Sequence, residues 1–162
     1  MKMYFSRTVP QYMRIYAHFA AHQLGVSKLR GTIDIHMSKG TIEGHSFGLC
    51  WGDNRECEIL IGSRQFGNPI SQDDKLRTLG HELVHARQYL RRELLVQDDT
   101  RDECTWKGRR YLFDPSDETQ EPWEVEAHEW EETIFIAWKT LLEDNKLTTA
   151  NLSFLGDLIP NV

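Results

Sequence analysis

A chain of 162 residues, with 40% hydrophobic and 27% charged residues, has the length of one domain, taken as 1–162, and enough apolar side chains for a buried core. Its net charge of −6 argues against a nucleic-acid groove, because phosphate binding requires a basic surface. Arg91-Arg92 and Arg109-Arg110 are flanked by acidic clusters ("QDDTRDE", "DPSDE") and read as solvated faces.

At the N-terminus, "MKMYFSRTVPQYMR" sets Arg7, Pro10 and Arg14 where a signal peptide needs an unbroken apolar stretch. No apolar run reaches transmembrane length. A soluble protein without a membrane partner is expected. Its three cysteines, Cys50, Cys57 and Cys104, leave one unpaired in any disulfide scheme and form no Cys-x-x-Cys pair, so reduced thiols in a cytoplasmic protein are expected.

"PQYMRIYAHFAAHQLG" predicts a first helix, with Pro10 in its first turn, Gly25 just past its end and apolar residues at helical spacing. His18 and His22 are four apart on it, but no glutamate follows His18, and both read as surface or packing histidines. The period then changes. Ile33 and Ile35 alternate with polar neighbours, and "ECEILIGS" does so through Cys57, Ile59 and Ile61, which predicts a small, mostly antiparallel sheet of about three strands. "FGNPIS" is a turn.

Ser71, with Asp74 in a capping-box position, opens a central helix expected to run to about Leu94. "TWKGRRYLFDPSDETQE" is a loop with a short hairpin about Gly108, and Pro122 begins a second long helix ending near Glu143. The tail adds one short helical turn. Helix, strands, helix, loop, helix is an α+β arrangement.

The chemistry lies in "LGHELVHARQ". Residues four apart on a helix lie one above the other, so His81 and His85 can share a metal ion. Two imidazoles favour zinc. Glu82, about 100° round from His81, stands beside such an ion as a general base. Leu76, Leu79, Leu83, Leu90 and Leu94 form one apolar stripe, and the histidines fall nearly opposite it with Thr78 and Tyr89, so they are not core histidines. Gly80 costs about 1 kcal/mol relative to alanine in a helix, which close approach of a strand or loop would explain.

A catalytic zinc takes three protein ligands and keeps one position open. The second long helix begins "EPWEVEAHEWEE", offering Glu121, Glu124, Glu126, His128 and Glu131. Its apolar stripe, Ala127, Ile134, Trp138 and Leu141, should pack on the central helix. Glu124 and His128 lie on the margin of that stripe, whereas Glu126 points to the polar side with Glu129 and Thr133. Spacing thus selects Glu124 or His128. The tryptophans Trp106, Trp123, Trp130 and Trp138 read as packing residues.

"HELVH" followed by "EVEAH" resembles the gluzincin peptidases, whose third ligand is the glutamate of Glu-x-x-Ala/Ser-Asp on a second helix. The resemblance implies a minimal zincin-like domain with His81, His85 and Glu124 as ligands of one zinc per chain and Glu82 as catalytic base. His128 stands where those families carry an aspartate that orients a ligand histidine, which leaves it between ligand and orienting residue. More closely, "HELVHARQYLRREL…WKGRRY…PWEVEA" is similar to small His-Glu-x-x-His proteins encoded by bacteriophages, over roughly residues 75 to 132, with the helix continuing through His-x-x-Gln. SprT-like proteases are a weaker match, because this chain lacks their cysteine-rich ribbon and basic surface.

The resemblance implies a metallopeptidase acting on peptide or protein substrates. An added substrate strand would sit on a sheet edge above the active-site helix, with "ECEILIGS" the best candidate edge. Tyr111 is the first choice for the oxyanion donor, followed by Tyr89 and His128. Two competing readings are a non-catalytic, zinc-stabilised structural or binding protein of a virion, and an amide hydrolase on a non-protein substrate.

Overall fold

The computed structural model describes residues 1–42, 47–96, 103–112 and 120–145. It is α+β, with three helices and small sheets among the described residues. A short strand β1 (Lys2–Phe5) precedes helix α1 (Gln11–Gln23), and strands β2 (Thr32–Met37), β3 (Gly48–Gly52) and β4 (Glu56–Ile61) follow. A two-residue ribbon, β5 (Arg64–Gln65) with β6 (Asn68–Pro69), leads into α2 (Gln72–Leu90). Strands β7 (Leu94–Val96), β8 (Glu103–Trp106) and β9 (Arg109–Leu112) separate α2 from α3 (Pro122–Asp144).

The main sheet corrects the expectation of three mostly antiparallel strands. It has four, in the order β1-β2-β4-β3. β1 and β4 both run parallel to β2, and only β3 is antiparallel, to β4. Alternation reveals which face of a strand is buried, not which way its neighbour runs. Hence the strand of "ECEILIGS" is interior, hydrogen-bonded on both sides, and β1 and β3 are the edges, β3 the one beside it. Ile33, Ile35, Cys57, Ile59 and Ile61 form the inner face and are at most 1% exposed. Full burial of each such aliphatic side chain contributes about 1.5–3 kcal/mol.

Helix α2 packs on β3 and β4 on one side and on α1 and α3 on the other. Its start follows the sequence closely, since the Ser71 hydroxyl accepts from the Asp74 N–H at 3.1 Å and donates to the Asp74 carboxylate at 2.6 Å. Its end does not. The helix stops at Leu90, Arg92 takes a left-handed conformation (φ 58°), and Leu94 belongs to β7. The leucine at i+4 continues the apolar stripe while the backbone has already turned. The histidine face lies between α3 and β3, with Glu82 and His85 buried and His81 half-buried.

The α1–α2–α3 junction explains Gly80. A Cβ there would lie 2.8 Å from the Tyr16 hydroxyl, so the close neighbour is a side chain of α1, not a strand or loop. Tyr16 in turn meets Trp138 edge-on, with ring centroids 5.5 Å apart. Trp106, Trp123 and Trp138 are buried, and Trp130 is half-buried. His18 packs against Phe5 and His22 is exposed.

The hairpin about Gly108 is present, with Lys107 and Gly108 both at positive φ. It extends into a three-stranded antiparallel sheet, β7-β8-β9, where a loop was expected. Phe66 and Gly67, also at positive φ, form the tight turn between β5 and β6. The expected helical turn of the tail lies outside the described residues. No helix of the described residues is long and apolar enough to cross a membrane, and all three cysteines are free thiols.

Candidate metal centre

His81 and His85 stand one turn apart on α2, and Glu124 enters from the first turn of α3, where the helix dipole favours a carboxylate. Their polar atoms converge. His81 Nε2 lies 3.0 Å from His85 Nε2 and 3.1 Å from Glu124 Oε2, and His85 Nε2 lies 3.2 Å from Glu124 Oε1. A tetrahedral ion with ligand distances of about 2.0–2.1 Å holds neighbouring ligand atoms roughly 3.3 Å apart. The N···N separation, and the separations of the two rings from one carboxylate oxygen each, fall within a few tenths of an ångström of that value. His128 stands at the rim, and ligand atoms of His81, Glu124 and His128 lie within 4.8 Å of one another. His85 is close to His81 and Glu124 of that group, at 3.0 and 3.2 Å. These residues could hold a metal ion.

The far sides of both imidazoles are also bonded. His81 Nδ1 donates to Glu131 Oε2 at 3.2 Å, and the same oxygen accepts from His128 Nδ1 at 3.3 Å. His85 Nδ1 donates to Gln88 Oε1 at 2.8 Å. Both rings therefore present Nε2 to the cluster. Such outer partners fix tautomer and ring orientation for metal binding.

The electrostatics follow from burial and proximity. For His81, burial opposes charge, but the hydrogen bonds to Glu124 and Glu131 and the nearby carboxylates outweigh it and raise its pKa to about 10. His85 moves in the same direction by the same balance, with Glu124 as its main partner. Glu124 is held far below the usual carboxylate range by the two histidines, against the effect of burial. Glu82 moves the other way. Burial raises its pKa, the negative charges of Glu124 and Glu131 add to this, and the histidines only partly offset it. Burial and like charge thus make Glu82 easier to protonate than an ordinary glutamate.

A cleft of about 590 Å³ opens over the cluster. One wall is the edge strand, from Phe47 to Cys50, and the opposite wall carries Glu124, His128 and Glu131 of α3. Thr78, His81, Glu82 and His85 form the floor. Gly48 permits the close approach of strand to helix. A Cβ there would lie 2.5 Å from Thr78 Cγ2 and 2.7 Å from Glu82 Oε1. Cys50 faces the same floor, and burial followed by the charge of Glu82 keeps its thiol protonated.

Two expectations fare differently. Tyr111 is half-buried on β9, meets Trp123 edge-on at 5.9 Å, and is not among the residues lining the cleft. Tyr89 is buried and does not line it either. Glu126 is not on a far polar side. It turns toward α2, where its carboxylate takes Arg87 at 2.9 Å, Lys107 at 3.0 Å and Gln88 at 3.0 Å. Buried Arg87 draws it inward, a tertiary demand that a helical wheel of α3 alone does not contain.

Sequence reasoning considered Glu131 only as a candidate ligand, and gave no role to Gln88 or Gly48. Spacing holds a signal for two of them. Glu131 is seven residues after Glu124 and so on the same face, and Gln88 is three after His85. No protein-family model, curated protein or solved structure matches the chain.

Proposed function

We propose that this chain is a zinc-dependent peptidase of gluzincin type, built as a minimal zincin-like domain. The observation that carries the reading is the convergence of two imidazole nitrogens and one carboxylate at 3.0, 3.1 and 3.2 Å, with a further buried carboxyl, Glu82, on the floor of the same open cleft. His81, His85 and Glu124 hold one zinc ion. Zinc, when bound, supplies Lewis acidity, polarising a carbonyl and lowering the pKa of water.

Glu82 takes a proton from the attacking water and delivers it to the departing amine, a task suited to its raised pKa. Among the described residues the outer side of β3 has no strand beside it, and an extended peptide adds there through its backbone. His128, exposed at the rim and anchored by Glu131, is better placed than Tyr111 to contact the developing oxyanion.

Protein purified without chelator should contain one zinc per chain, and Glu82→Gln should keep that zinc while losing hydrolysis of an unfolded protein such as casein. Equal activity of wild type and Glu82→Gln would refute the mechanism. A second reading has one observation in its favour, the approach of His128 to His81 and Glu124. Four protein ligands would make a closed structural site. Loss of zinc in His128→Ala, with no turnover by wild type, would favour it.

A further inference from the structure

We infer that Gln88 is a positioning residue that ties the second histidine ligand to the backbone preceding the third ligand, an inference that rests on the metal reading above. Its amide is fully buried and makes three bonds. Oε1 accepts from His85 Nδ1 at 2.8 Å, and Nε2 donates to the Trp123 carbonyl at 3.0 Å and to Glu126 Oε2 at 3.0 Å. Trp123 directly precedes Glu124. One side chain therefore fixes the ring orientation of a ligand on α2 and the main chain beside a ligand on α3.

The chemistry requires an amide. His85 Nδ1 takes an acceptor, while the carbonyl and the Glu126 carboxylate each take a donor, and only the amide of Asn or Gln offers two donors together with an acceptor. A glutamate would orient His85 equally well, yet would turn a carboxylate toward a carbonyl and another carboxylate in a site closed to water. Leucine would leave His85 Nδ1 without its acceptor and would remove the second donor from the Trp123 carbonyl, which the helix already pairs. Glu126 is held from behind by Arg87 and Lys107, so the amide cannot swing away from its acceptors without breaking a braced network.

The test measures zinc affinity by chelator competition in wild type, Gln88→Leu and Gln88→Glu, together with the imidazole nitrogen NMR signals of His85. Gln88→Leu should weaken zinc binding about 10–100-fold. Gln88→Glu should also weaken it, although a partner that served only to make His85 more basic would strengthen it. Zinc-loaded wild type should show a His85 Nδ1 proton shielded from exchange, absent in Gln88→Leu while near-ultraviolet circular dichroism stays native. Should the variants fail to fold, wild type alone decides, because a proton on Nε2 of His85 in the zinc-loaded protein would overturn the inference. A wild type that takes up no zinc defeats the metal reading and this inference with it. Zinc-binding wild type with undiminished affinity in Gln88→Glu defeats this inference alone.

Discussion

Gly48→Ala is the most informative small change, because a single methyl group tests how closely the edge strand sits on the histidine-bearing helix α2. The added Cβ would stand 2.5 Å from Thr78 Cγ2 and 2.7 Å from Glu82 Oε1, against an ordinary contact distance of 3.4 Å or more. It thus needs about 0.9 Å on one side and 0.7 Å on the other. Overpacking of this kind costs about 1–3 kcal/mol, which for a chain of this length lowers Tm by roughly 2–4 °C per kcal/mol. Turnover should fall as well, because Glu82 is one of the two groups that must move. Thr78→Ser separates the effects. It removes the Cγ2 methyl and keeps the hydroxyl that donates to the Asp74 carbonyl at 2.8 Å. The double variant Gly48→Ala/Thr78→Ser should recover most of the stability and little of the activity, measured by thermal unfolding of zinc-loaded protein and by peptide hydrolysis. Gly48→Ala with wild-type Tm and turnover would mean that β3 does not lie against Glu82.

Glu124→Ala should release zinc while Glu126→Ala largely retains it, and the reverse order by elemental analysis would assign the third ligand wrongly. In chelated protein His81 titrates near 10, above its ordinary 6.5, so the stability it confers is fully present below pH 6.5 and is lost as pH rises through about 10. Zinc must displace that proton, so affinity should rise over the same interval in which metal-free stability falls. Denaturant unfolding of chelated wild type against His81→Gln checks the first trend, and calorimetric zinc titration in buffers of different ionisation enthalpy checks the second.

The sequence was most informative where chemistry is local. The four-residue spacing of His81 and His85 fixes their common face, and Ser71 with Asp74 fixes the helix start, because both depend on neighbours within one turn. It was less informative where an outcome depends on a second element. β1 is four residues long, too short for its own pattern to mark it, and its place in the sheet rests on pairing with β2. The end of α2 carries no glycine or proline, and Leu94 extends the apolar spacing, so the stop at Leu90 leaves no local trace. Glu126 turns inward because Arg87 and Gln88 wait on α2. Glu131 and Gln88 are plain in the sequence as residues, but their bonds to His81 and His85 exist only once two helices meet.

The split of the ligands along the chain has a further consequence. Glu124 lies 43 residues beyond His81, so an ion bound there closes a long loop. Closure entropy grows only logarithmically with length, and doubling a flexible loop adds about 0.6 kcal/mol, less than about threefold in affinity. Changes of length in this segment that leave the β7-β8-β9 sheet and the Lys107–Glu126 pair intact would thus cost metal binding little. Evolution, or an engineer, has freedom there to change what the cleft meets while leaving the ion where it is.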